Sequence, residues 1–183
     1  IGFTTNLITW DNEVIDLLTQ FAGVNLGMSI EAFDNVNDYV RWPATLPEVN
    51  KILDKWLDLA QTHGWLVQFR TTPTVLTIDS LLGVYQYAWD RGIAIESCNF
   101  LDKPEVMRPS VMPMVNRQLI IQRMIDWIAD RDNNVQTIIN TRDPSVAKQQ
   151  IVQDLQSYVQ YLKHEPDESF RLPELMTYLK RIE

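Results

Sequence analysis

Apolar positions in the first hundred residues alternate between two rhythms. Residues 2–8, GFTTNLI, are apolar and β-branched and predict a short strand. From Asn12 the period changes, and Val14, Ile15, Leu17, Leu18 and Phe21 fall on one helical face. Asp11 supplies an N-cap and Gly23 a stop. Residues 24–31 predict a second strand, ending in the polar Ser29 and Glu31, and a polar loop leads to Asp38, Tyr39 and Arg41. Val49, Ile52, Leu53, Trp56, Leu57, Leu59 and Ala60 return to helical spacing, with Pro47 in the first turn and Gly64 at the end. Residues 65–75, WLVQFRTTPTV, predict a third strand whose pairing stops near Thr72, because Pro73 has no N–H for the ladder. A helix from Ile78 to Trp89, capped by Thr77 or Asp79 and closed by Gly92, precedes a fourth strand over 93–97.

The rhythm then breaks. LDKPEVMRPSVMP is Pro-rich and aperiodic, and helical patterns follow over 113–130, 132–141, 143–164 and from Pro173. Strand–helix alternation with crossovers this long predicts an α/β fold, a parallel sheet with helices outside it. The division expected is residues 1–112 for the βα part and 113–183 for a helical extension. The strands read as nearly continuous apolar runs, as covered strands do.

Composition narrows the function classes. With 183 residues the chain can bury a core without disulfides or metal. A net charge of −8 argues against nonspecific nucleic-acid binding, which needs clustered Lys and Arg, and suits a soluble cytoplasmic protein. No apolar run reaches the ~20 residues of a membrane span, so no membrane partner is expected. The opening, IGFTTNLITW, starts on Ile1 and reads as the middle of something, a piece of a longer reading frame.

Chemistry is limited by what the chain carries. Cys98 is the single cysteine and reads as a small buried residue; His63 and His164 stand near helix ends, outside any metal-ligand spacing. No nucleophile elbow, dinucleotide fingerprint or P-loop can be drawn. The tryptophans sit mostly at helical core spacing and read as packing. What remains is polar residues at the strand ends: Thr4, Thr5 and Asn6; Ser29 and Glu31; Arg70, Thr71 and Thr72; Glu96, Ser97 and Asn99. Ligands of α/β sheets and barrels meet the chain at the carboxyl ends of strands. Small donors and acceptors with an arginine suit a zwitterionic or polyhydroxyl small molecule.

Five segments carry a family resemblance. TTNLITWDNEVIDLL, VNLGMSIEAFDNVNDYVRWPATLPEVNKIL, VQFRTTPTVL, NFLDKPEVMRPSVMP and YVQYLKHEPDESFRLPEL, in this order and spacing, resemble the radical S-adenosylmethionine (radical SAM) enzymes, and among them the twitch-domain-containing group. The resemblance covers roughly residues 3–116 and the tail. It implies a partial (βα) TIM-like barrel whose strand ends hold S-adenosylmethionine, beside a four-iron four-sulfur cluster in the full-length parent. On that likeness Asn6 matches a polar residue after a strand. Ser29 and Glu31 match the pair that touches the methionyl or ribose part, Arg41 a basic residue for the carboxylate, and Leu101 a residue near the adenine. The family's Cys-x-x-x-Cys-x-x-Cys run has no counterpart here, and Ala32 stands where the family usually has Gly. The resemblance thus implies a carboxyl-side fragment, inactive alone, on an unknown substrate. It also implies open sheet edges near Phe3 or Ile95 through which a homodimer could form. Two readings remain beside it: a TIM-like acid–base enzyme using Glu31, Glu96 and Arg70, and a non-catalytic α/β interaction domain.

Overall fold

The computed structural model describes residues 1–96, 99–132 and 144–182. Four strands, β1 (Gly2–Thr5), β2 (Asn25–Ser29), β3 (Leu66–Arg70) and β4 (Ala94–Ile95), form one parallel sheet in the order β1-β2-β3-β4. Consecutive strands are neighbours throughout, so the sheet winds in one direction without a reversal of strand order. Helices α1 (Asn12–Leu18), α2 (Val36–Val40), α3 (Leu46–His63) and α4 (Leu81–Arg91) fill the crossovers. Helices α5 (Met114–Asp132), α6 (Pro144–His164) and α7 (Leu172–Ile182) follow.

Local chemistry sets the boundaries. Asp11 caps α1, accepting from the backbone N–H groups of Glu13 and Val14. The helix ends at Leu18, short of the expected Gly23, and Thr19 hydroxyl bonds back to the Asp16 carbonyl. Thr45 and Glu48 form a reciprocal capping box at α3, Pro47 takes its first turn, and Gly64 closes it at φ 64°. Gly92 closes α4 with the same left-handed φ of 64°. The strand predicted over 2–8 stops at Thr5, because Thr5 and Asn6 side-chain oxygens capture the N–H groups of Leu7 and Ile8 and turn the chain. β3 stops at Arg70, two residues before the expected end. Residues 74–80, placed partly in a helix by the pattern, form turns held by Thr74 and Thr77. Helix α2 lies where a polar loop was expected. The helix expected over 132–141 and the strand residue Ser97 lie outside the described residues, apart from Asp132, which ends α5.

Side-chain alternation gives the sheet two unlike faces. Leu26, Met28, Ile30, Phe69 and Ile95 are fully buried on one of them. The helices pack here: Phe3 meets Trp56 of α3 at 5.7 Å, and Phe69 meets Tyr87 of α4 at 5.8 Å. Each such aliphatic or aromatic side chain contributes roughly 1.5–3 kcal/mol by leaving water. The opposite face carries Thr4, Asn25, Gly27, Ser29, Leu66, Gln68 and Arg70; Thr4, Asn25 and Leu66 are exposed. The near-continuous apolar character expected of the strands is therefore an alternation, with one covered face.

The later helices extend the same core. Helix α6 lies against β4 and α4, and one hydrophobic cluster runs from Leu7 and Leu26 through Tyr85 to Ile121, Leu155 and Leu162. Among the described residues neither β1 nor β4 has a strand on its outer side, and α6 lies against β4, where Ile95 is buried. A smaller cluster of Val75, Val111 and Leu175 seats α7 on the connection after β4. Two 3₁₀ turns, Glu105–Met107 and Pro109–Val111, shape that Pro-rich connection. Buried Ser110 donates to Glu168 at 2.5 Å, and buried Arg117 donates to the Pro166 carbonyl at 3.0 Å, fixing the segment before α7.

Candidate functional site

The open face of the sheet carries a polar network that crosses all four strands. Thr4, Gly27, Gln68 and Ala94 stand in one row of the register, and Ser29 pairs with Arg70 in the next. The Arg70 side chain lies down across β2: its Nη1 donates to Thr4 Oγ1 on β1 at 2.7 Å. On the other side its Nε meets the Glu96 carboxylate, which follows β4. Gln68 Nε2 donates to the same Glu96 oxygen at 3.3 Å. Only a residue without a side chain lets the arginine through, since a Cβ on Gly27 would stand 2.8 Å from Arg70 Nε. Arg70 and Glu96 keep 40% and 42% of their side-chain surface open, so the pair is offered to whatever meets this face.

A second cluster forms at the carboxyl ends of β1 and β2. Arg41 Nε donates to Glu31 Oε2 at 2.5 Å, and Arg41 Nη1 donates to the Asn6 carbonyl at 2.8 Å. The Arg41 side chain is 10% exposed and that of Glu31 22%, which strengthens the pair relative to one in water. Helix α2 delivers Arg41 as its C-cap, and Asp38 on the same helix accepts from Leu46 N–H at 2.5 Å, tying the loop to the start of α3. Phe33 anchors the other side of the loop by stacking on Tyr87 at 4.1 Å. Ala32, fully buried, takes the place where the family resemblance expects glycine.

Three of the five residues singled out by the resemblance, Asn6, Glu31 and Arg41, are thus joined directly. Ser29, half-buried, ends β2 beside Arg70. Leu101 is half-buried and next in the chain to Phe100, which stacks on Tyr161 of α6 at 4.0 Å. The reading of Arg41 as a holder of a ligand carboxylate meets a guanidinium already engaged by Glu31 and Asn6, and the open arginine of the face is Arg70. For the acid–base reading, Arg70 and Glu96 do meet, whereas Glu31 pairs with Arg41. Gly27 and Gln68 escaped the sequence reading, although the two-residue alternation Asn25, Gly27, Ser29 and Leu66, Gln68, Arg70 carried the signal.

Two buried groups near these strand ends lack partners. Asn37, on α2 one helical turn before Arg41, is 0% exposed, and neither its side-chain nitrogen nor its oxygen finds a hydrogen bond. Thr71, directly after β3, is 3% exposed with an unpartnered hydroxyl. Each such group costs about 1–3 kcal/mol unless something else satisfies it. Among the described residues no group of three or more His, Cys, Asp or Glu could hold a metal ion. No helix among them is long and apolar enough to cross a membrane.

Comparison with known proteins gives no match: no family model, no curated protein and no solved structure corresponds to this chain.

Proposed function

We propose that this chain is the carboxyl-side part of a radical SAM enzyme, a piece of a TIM-like βα barrel whose strand ends hold the methionyl and ribose portions of S-adenosylmethionine. The observation that carries this reading is the one-directional parallel sheet with an open polar face, at whose rim Asn6, Ser29, Glu31 and Arg41 gather. An inward-facing wall of a barrel has this layout, with the helices on the far side. The order of the five resembling segments adds the ligand.

The residues present fit the polar half of the cofactor. Arg41 engages one oxygen of Glu31, Oε2, which leaves Oε1 to accept from ribose hydroxyls or an ammonium group. Ser29 supplies a hydroxyl donor, and the orphaned Asn37 amide is an unused donor and acceptor one turn from Arg41. Arg41 acts as a positioning residue: it fixes Glu31 and the turn after β1 before any ligand arrives. S-adenosylmethionine, when bound, would supply a sulfonium carbon–sulfur bond, and its cleavage to a carbon radical would need one electron from an iron–sulfur cluster held outside this chain. A four-iron four-sulfur cluster does not fit the residues of this chain, since such clusters take several cysteine thiolates and Cys98 is the single cysteine.

Titration of the ¹⁵N-labelled chain with S-adenosylmethionine tests the reading. Saturable shifts are expected at the backbone amides of residues 29–31 and at the Asn37 side-chain amide. They are weakened at least fivefold by Ser29→Ala with Glu31→Gln. Absence of shifts at millimolar cofactor, or shifts that the double variant leaves unchanged, would count against it.

A further inference from the structure

A second cleft, apart from the open sheet face, lies between the turn after β1 and the first half of α3, with a volume of about 390 Å³. That volume is within the range of small-molecule sites. Its floor is apolar: Leu7 is 0% exposed, Ala44 is 7% exposed, and Ile52 is half-buried. Ile8, 43% exposed, forms one wall. Lys51 and Lys55, exposed and one helical turn apart, stand on the other.

Three features make this cleft a shaped and charged one. Like charges four residues apart on a helix repel, and neither lysine makes an ion pair among the described residues. Lys55 Nζ instead sits 5.0 Å from the centre of the Trp10 ring. The one carboxylate lining the cleft, Glu48, stays ionised with its Oε2 turned to the Thr45 N–H and hydroxyl at 2.9 and 2.8 Å; it offsets one of the two lysine charges and leaves the lining net positive. The floor is also built at a conformational cost, because Leu7 holds a left-handed φ of 61°. Thr5 Oγ1 accepts from the Leu7 N–H at 3.1 Å, and Arg41 grips the Asn6 carbonyl just before it. A chain with a net charge of −8 has placed two unpaired cations over an apolar floor.

We propose that this cleft binds a small organic anion, a carboxylate, phosphate or sulfonate carried on an apolar body, with Lys51 and Lys55 meeting the anionic group and Ile8, Pro43 and Ile52 the body. The inference is independent of the cofactor reading, as none of these residues belongs to the Ser29–Glu31 rim.

Anilinonaphthalene sulfonate, an anionic amphiphile that fluoresces in apolar sites, is the probe, titrated into the intact chain beside its uncharged relative phenylnaphthylamine. Saturable binding of the sulfonate is expected, at least fivefold tighter than that of the neutral compound. Lys51→Glu with Lys55→Glu weakens it roughly tenfold, two exposed charge contacts being reversed. Lys51→Arg with Lys55→Arg retains it. Both pairs of substitutions lie on an exposed helix surface, and unchanged thermal unfolding by circular dichroism checks that the fold survives. No sulfonate binding, equal binding of the neutral compound, or equal binding by the Glu variant each overturns the proposal.

Discussion

Arg70 reaches Thr4 by passing directly over Gly27, close enough that a Cβ at position 27 would come within 2.8 Å of its Nε. The glycine and the arginine belong to neighbouring strands and are offset by two residue pairs in the register, Gly27 facing Gln68 and Ser29 facing Arg70. An arginine that lies flat across a strand presents its guanidinium plane to the open face, and its position depends on the missing side chain beneath it.

Gly27→Val should therefore lift Arg70 off the sheet while leaving Leu26 and Met28 in the core. The Arg70 Nε–H resonance is expected to lose its folded dispersion, and the stability change should stay within about 1–2 kcal/mol, since a β-branched residue suits a strand. An unmoved Arg70 resonance would mean that the arginine does not depend on the glycine.

Arg41→Ala should do more damage than its place in a loop suggests. It removes the partner of a mostly buried carboxylate and frees the Asn6 carbonyl that holds the strained Leu7 turn. A loss of about 1–3 kcal/mol is expected from urea unfolding, with Arg41→Lys recovering only part, because lysine lacks the fork that serves both oxygens.

Tyr161 offers a pH signature. Burial, with the nearby Glu165 charge adding to it, pushes its phenol up to about 12, while it stacks on Phe100 at 4.0 Å. The neutral form is favoured in the folded chain, so this contribution to stability is complete below the ordinary tyrosine pKa near 10. It is lost as pH rises through about 12. Ultraviolet titration should show a late tyrosinate component, to which Tyr87, also raised by burial, contributes, and Tyr161→Phe should reduce its amplitude by one tyrosine.

Glu168 works in the opposite direction. The Ser110 hydroxyl, then Arg171 and Arg108, hold its carboxyl below the usual range against the effect of burial. Its contribution is present above the ordinary glutamate pKa and lost as pH falls through the lower folded value. Glu168→Gln should flatten the acid limb of the stability curve, and hydrogen exchange should report earlier opening of α7, which the Glu168 segment helps to seat.

The helices and strands were legible wherever one period ran long enough to dominate. The 18-residue α3 carried its cap, its proline and its terminal glycine in plain view. The shorter signals failed for physical reasons. Thr5 and Asn6 read as strand residues by composition, yet their oxygens turn the chain by capturing backbone donors two residues on. Helix α2 spans five residues, too few for periodicity to register. At the candidate site the polar strand ends included side chains that the fold brings together, Arg70 with Thr4 and Glu96, and Glu31 with Arg41. Their pairing was not visible, because Arg41 with Glu31 and Arg70 with Thr4 are joined by crossings of 10 and 66 residues that only the fold brings together. Gly27 carries no chemistry of its own, and its role exists only once Arg70 lies above it.

The unbroken strand order has a consequence for how this chain comes into being. Each strand after the first finds its neighbour already synthesised, so β2 can dock on β1, β3 on β2 and β4 on β3 as the polypeptide leaves the ribosome. Docking each strand on the one before it keeps the loop-closure cost small at each stage. Helix α6, arriving among the last elements, settles against β4 and α4. A nascent chain stalled before α6 would hold the sheet with the Ile95 side of β4 still uncovered.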